Sequence, residues 1–401
     1  MKKMKNKLLL FILFFTCIIQ AQEIKTQIIE NSVEIKTISP LDTDYSDLNV
    51  IGNAIGNARI VMLGEQGHGD APTFMAKTRI IKYLHEKKGF DVIAFESDFF
   101  GLNHCNNTNL KNNIYSVWSN CEQNQKIFEY INLTPSLKVT GFDIRHHSEY
   151  SQKNYIKEFE NMFQNANLDT NEKSYIKFKE ILIDLIKKEY NSEYKNDTGA
   201  KDFFNNYLDI IVNILQDKTF ENRLFWIQEL KNLKVYAENS WEDILNNRIR
   251  DKQMGNNIIW LIKNKYQNKK IIIWAHSTHL ANNYSNIKKK SFCSAGEIVK
   301  KEIKDNTYIL GFTSYKGTAI RITTKKKYKV QNPKKNSLEN WFNSKSYKYA
   351  FVNFNTINSS EKFNMKGLRH FNDKYNWINI FDGVFYIRDM YPCKITKPNN
   401  I

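Results

Sequence analysis

Ile60-Val61-Met62-Leu63-Gly64-Glu65-Gln66-Gly67-His68-Gly69 passes from four consecutive apolar residues into a glycine-rich turn that carries a carboxylate and an imidazole. A short apolar run closed by glycine reads as a strand buried on both faces. A second stretch, Ile271-Ile272-Ile273-Trp274-Ala275-His276-Ser277-Thr278-His279, repeats the pattern far along the chain. Open α/β sheets place their sites at the carboxyl ends of parallel strands. Three of the eight histidines therefore stand where chemistry is expected, and imidazole is the side chain poised to move protons near neutral pH.

Outward from these stretches, strands and helices alternate. Strands are predicted at Arg59–Leu63, Asp91–Glu96 and Lys138–Asp143, with a helix over Ala71–Lys88. From 146 to 246 the chain is rich in Lys, Glu, Asn and Leu at helical spacing, with Gly199 its only glycine, which predicts an inserted helical subdomain. Alternation resumes near Arg250: a helix through Met254–Ile262, strands at Lys270–Trp274 and Thr307–Phe312, a hairpin across Gly317, and a last strand around Val384–Ile387. The fold class is α/β, a central mostly parallel sheet flanked by helices. Its core is split into 22–145 and 247–401 by the insertion.

The N-terminus carries Lys2, Lys3, Lys5 and Lys7, then the apolar run Leu8–Ile19, then Ile19-Gln20-Ala21 as a small-residue cleavage site. Residues 1–21 are expected to act as a signal peptide that directs secretion or periplasmic export, leaving no membrane span after cleavage. The net charge of +17 falls by four once those lysines leave. The remaining excess is diffuse, and its densest runs, Lys288–Lys290 and Lys325–Lys327, have no nucleic-acid module around them. Cys105, Cys121, Cys293 and Cys393 remain after cleavage and permit three pairings. Cys105 with Cys121, near in sequence on a polar segment, is the favoured one.

In the first motif the glycines permit a tight turn, and Glu65 can accept a hydrogen bond from one ring nitrogen of His68, leaving the other free as a base. Glu96 ends the next strand, where a buried carboxylate needs a partner. His276 and His279 are three apart and converge on one water or ligand if their segment turns into a helix. Taken singly, each has an ordinary structural reading: a helix cap, an ion pair, satisfied core histidines.

Together, Gly64–Gly69, Ala94-Phe95-Glu96-Ser97-Asp98, Gly141-Phe142-Asp143, Arg250-Asp251-Lys252-Gln253-Met254 and Trp274–His279 resemble, in order and spacing, the erythromycin esterase family, over about residues 40–390. The resemblance implies hydrolysis of a carboxylic ester, in the name-giving case a macrolide lactone and hence antibiotic resistance. Water would be activated by a histidine, with no acyl-enzyme and no metal. By position it makes His68 the general base and Glu65 and Glu96 its neighbouring carboxylates. His276 and His279 would polarise the carbonyl and help the leaving alkoxide, and Lys77 and Arg250 would contact substrate. Lys77 stands where macrolide-cleaving members carry arginine, a point charge in place of a planar fork.

Two other readings compete. Glu65, His68, Glu96, His276 and His279 could hold Zn or Mn in a metal-dependent hydrolase. Alternatively the cleft could bind an envelope glycan without catalysis, its tryptophans, Trp118 among them, stacking on sugars.

Overall fold

The computed structural model describes residues 23–104, 109–242, 247–288 and 293–396. The signal peptide expected at residues 1–21, and Cys105, lie outside these.

Eleven strands are present among the described residues: β1 (Ser32–Glu34), β2 (Ile60–Glu65), β3 (Phe90–Asp98), β4 (Lys138–Asp143), β5 (Lys270–His276), β6 (Thr307–Arg321), β7 (Lys326–Lys329), β8 (Tyr349–Asn353), β9 (Phe363–Met365), β10 (Asp373–Tyr375) and β11 (Gly383–Met390). Nine of them form one sheet, and its central strands, in the order β4-β3-β5-β2-β6-β11, are all parallel. β8 and then β1 continue the sheet antiparallel beyond β11, and β7 pairs back on β6.

The apolar runs explain the layering. Along β2, Ile60 and Met62 point into one core while Val61 and Leu63 point into the other. β5 does the same, Ile271 and Ile273 against Ile272 and Trp274. Strands covered on both faces have no polar side to show, so they read as unbroken apolar runs.

The chain leaves β2 for β3 and β4 and returns only later as β5, between β2 and β3. That reversal creates a crevice at the carboxyl ends of β2, β5 and β3, where such sheets bind ligands.

Between β4 and β5 lie four long helices, Glu149–Asn165, Lys173–Lys188, Thr198–Gln216 and Arg223–Ser240. Ser148 and Asp197 cap two of them by accepting from Ser151 N and Ala200 N. A buried amide network ties the last of the four to the helix Asn247–Trp260. Asn257 accepts from Gln228 at 2.8 Å and Gln253 at 2.9 Å, and donates to Asn232 at 2.7 Å and to the Phe142 carbonyl at 3.0 Å. Beside it Glu229 takes hydrogen bonds from His146 at 2.7 Å and Tyr155 at 3.0 Å.

Two expectations are corrected. β6 does not reverse at Gly317; it runs on to Arg321, and the turn falls at Ile322–Lys325. Gly317 instead takes φ +119° beside β11, where a Cβ would lie 1.9 Å from the Met390 carbonyl oxygen. Cys121 pairs with Cys393, not with Cys105, at a Cα–Cα distance of 5.7 Å. The C-terminal segment returns alongside residues 120–122, with Glu122 N donating to Lys394 O at 2.9 Å and Thr396 N to Asn120 O at 2.7 Å. Proximity in sequence could not foresee that return. Cys293 is a free thiol.

Candidate active site

Glu65 ends β2 and His276 ends β5, and the two are directly paired in the ladder between these strands. Gly64 permits the approach that follows, since a Cβ there would lie 2.8 Å from Ser277 Oγ and 3.1 Å from Ser277 Cα. Glu96 belongs to β3, where the register against β4 shifts between Phe95 and Asp98. Such a bulge re-aims side chains, and Glu96 reaches across to accept from His276 N at 2.9 Å. Residues from both halves of the core thus meet in one crevice: the rings of His68 and His276 are 5.1 Å apart, those of His276 and His279 6.3 Å.

Glu65 is fully buried and acts as an acceptor for three groups. Lys77 Nζ donates to Oε2, while Trp118 Nε1–H (2.8 Å) and His68 Nδ1 (3.1 Å) share Oε1. His68 is about one-third exposed, 34% by side chain. Its Nδ1 is the nitrogen turned to the carboxylate.

His276 is held differently. Its Nδ1 accepts from Thr278 N at 3.2 Å, which caps the short helix Ser277–Leu280, and its Nε2–H donates to the Gln66 carbonyl at 2.9 Å. Burial, reinforced by the other two histidines and Arg369, pushes its pKa well below the usual imidazole value. The ring is neutral, with both nitrogens engaged.

His279 has the opposite setting. Its Nδ1–H points at Asp251 Oδ1 at 2.5 Å, and Nε2 lies 3.4 Å from Glu96 Oε1 and 3.3 Å from Arg250 Nη1. Burial opposes its charge, but Asp251 and Glu96 outweigh burial and raise its pKa. Glu96 answers in kind: burial would raise its pKa, yet His279 and Arg250 hold it below the usual carboxylate range.

Lys77 and Arg250, read from the sequence as substrate contacts, lie beneath the crevice rather than in it. Lys77 is fully buried between Glu65 and the face of Trp274, 4.3 Å from the ring centroid, and burial lowers its pKa. Arg250 forks onto Asp143 (2.9 and 2.7 Å) and donates to Glu96 at 2.9 Å. Each cation neutralises a carboxylate that would be costly to bury alone.

Three supporting residues were given no part in the catalytic set, Trp118 entering only as a sugar-stacking ring in the glycan-binding alternative. Asp143, at the end of β4, is held well below the ordinary carboxylate range because Arg250 outweighs its burial, and it also accepts from Tyr115 at 2.6 Å. Its place at a strand end was the available signal, the same one that picked out Glu96. Asp251 adjoins Arg250 in sequence, and only the helix brings it to His279. Trp118 lies on a short helix with nothing local to mark it. Among the described residues no three His, Cys, Asp or Glu side chains are grouped to hold a metal ion.

Comparison with known proteins places the chain by fold and by family. The chain is 28% identical over 367 residues to YbfO of Bacillus subtilis (strain 168), with 79% of each chain covered. A solved structure described as a succinoglycan biosynthesis protein superposes with a TM-score of 0.76 at 18% identity, covering 94% of this chain and 98% of the other. A mutant of the erythromycin esterase EreC in its open conformation superposes with a TM-score of 0.70 at 13% identity, covering 91% and 99%. These likenesses establish the fold. The sequence model of the erythromycin esterase family matches residues 85–387, well over half of the chain, and the protein belongs to that family, whose name is that of a hydrolase.

Proposed function

We propose that the protein hydrolyses a carboxylic ester or lactone with water activated by His68. The observation that carries this reading is the Glu65–His68 pair: the carboxylate accepts a hydrogen bond from Nδ1–H at 3.1 Å, which leaves Nε2 as the base of a ring about one-third exposed. Water deprotonated there attacks the carbonyl carbon. His279, held between Asp251 and Glu96, is the group with a proton to give to the departing alkoxide. His276 orders the crevice floor through Gln66 rather than donating to the oxyanion.

Family membership supports a hydrolase, and YbfO is itself named as a candidate one. The ester linkage, the water mechanism and a macrolide as substrate are our reading. A reaction without metal is supported by the donors themselves, since the carboxylates are already engaged by Lys77, Trp118 and Arg250. Export of a chain beginning near Gln22 is part of the same proposal, resting on the N-terminal pattern.

The test is a mass-spectrometric screen of the signal-free protein against macrolides, aryl esters and esterified envelope polysaccharides, with and without chelator, beside His68→Ala. Turnover of an ester that survives chelator and disappears in His68→Ala is expected. Loss in chelator with recovery on zinc would establish the metal-dependent alternative, and full activity of His68→Ala would remove His68 from the mechanism.

A further inference from the structure

Trp118 is fully buried and makes a contact that packing alone does not require. Its indole N–H donates to Glu65 Oε1 at 2.8 Å, the same oxygen that faces His68 Nδ1, and its ring meets His68 edge-on with centroids 5.2 Å apart. The indole thus fixes the carboxylate oxygen in place and blocks one side on which the imidazole could rotate. Removing the N–H would leave that oxygen with more negative charge toward His68, because a donated hydrogen bond to a carboxylate withdraws charge from it.

The segment that carries Trp118 is fastened from outside the sheet. Cys121, three residues on, is joined to Cys393. The C-terminal segment containing Cys393 also grips the other side of the site: Cys393 N donates to Gly69 O at 2.8 Å, Ala71 N donates to Tyr391 O at 3.3 Å, and Asp70 bridges to Pro392. One extended strap therefore touches the turn that presents His68 and is covalently bound to the helix end that presents Trp118.

We propose that Trp118 is a positioning residue for the Glu65–His68 pair, and that the disulfide-bonded C-terminal strap holds it in register with the His68 turn. The proposal rests on the general-base reading of His68. The titratable groups facing the pair are Lys77 from the helix beneath, His276 from β5 and Glu96 from β3; Trp118 is the uncharged donor to the Glu65 carboxylate.

The experiment compares wild type, Trp118→Phe and Cys393→Ser. Phenylalanine keeps an aromatic ring in the site and removes the N–H together with part of the indole's bulk, so the pH profile, which lost packing does not move, is the deciding readout. With the ester identified above, Trp118→Phe is expected to lower kcat about 10- to 100-fold, the worth of a hydrogen bond to a charged group, leave KM within about 2-fold, and move the inflection of the pH–kcat profile upward. A packing role would move none of the profile. Independently of turnover, the Trp118 indole N–H resonance should shift in Glu65→Gln and the His68 ring resonances should shift in Trp118→Phe. In Cys393→Ser the indole proton should exchange faster with solvent. Wild-type kcat and an unmoved profile in Trp118→Phe, or an indole resonance indifferent to Glu65→Gln, would overturn the positioning role; unchanged indole exchange in Cys393→Ser would overturn the strap. If wild type cleaves no ester, the functional reading fails and the resonances still decide the placement of Trp118.

Discussion

At the scale of single residues, the site separates groups that work in the open from groups that set their charge. His68 is the half-open member, so His68→Ala should lower kcat roughly 10²- to 10⁴-fold, the range for a lost general base, with an unchanged circular dichroism spectrum. Glu65→Gln should cost less, because the base survives without its orienter. Lys77 behaves in the opposite way. Its removal strands Glu65 as an uncompensated buried charge, so Lys77→Met should destabilise the fold by about 3–5 kcal/mol, read as a fall in the urea midpoint. A Lys77→Met protein that melts like wild type would show that the pair contributes nothing. The sequence displayed these residues but not their duties. A glycine-flanked Glu-x-x-His is visible in the string, whereas the burial that makes Lys77 and Arg250 counter-ions rather than substrate contacts exists only after the sheet has closed over them.

At the scale of elements, the helix Asn247–Trp260 carries Arg250 and Asp251 to the ends of β3, β4 and β5 and so sets the charge of three strand-end groups. The signs give a stability profile. Glu96 and Asp143 have lowered pKa values, so their contribution is present above the ordinary carboxylate range and is lost as pH falls through their folded values. His279 has a raised value, so its contribution is complete below about pH 6.5, the unfolded imidazole value, and is lost as pH rises through its folded value. His276 opposes it: its value is lowered, so its contribution is present above about pH 6.5 and is lost as pH falls through its folded value, and the rise in pH through the folded His279 value is the step that Asp251 governs. Asp251→Asn should lower Tm most on the acid side of that rise and flatten the alkaline fall; a Tm–pH curve parallel to wild type would refute the assignment. Strands buried on both faces were legible because their apolar runs are unbroken. β1 and the turn after Arg321 were not, since edge strands such as Lys326–Lys329 carry no such signal, and β8, though paired on both sides, is only five residues long.

At the scale of the whole molecule, the helical segment between β4 and β5 is joined to the core through Asn257 and Glu229, and Arg145, just past Asp143, reaches Tyr190 at 2.9 Å. It therefore borders the crevice on the β4 side, and exchange of residues 149–240 for those of a relative should alter KM across an ester series more than kcat. Equal effects on both would argue against a role in substrate size. Export is checked by N-terminal sequencing of the envelope fraction, expected to begin near Gln22. The strand order has a further consequence for biosynthesis. A ribosome delivers β2, β3 and β4 long before β5, and the contact from His276 N to Glu96 spans 180 residues. Throughout that interval the nascent sheet has a vacant slot at its middle, flanked by unpaired backbone of the most apolar strands in the chain, the condition in which chains aggregate. Truncation before Lys270 should yield inclusion bodies rather than a smaller folded protein, and a cell making this enzyme must keep the chain unfolded, or shielded, until its fifth strand arrives.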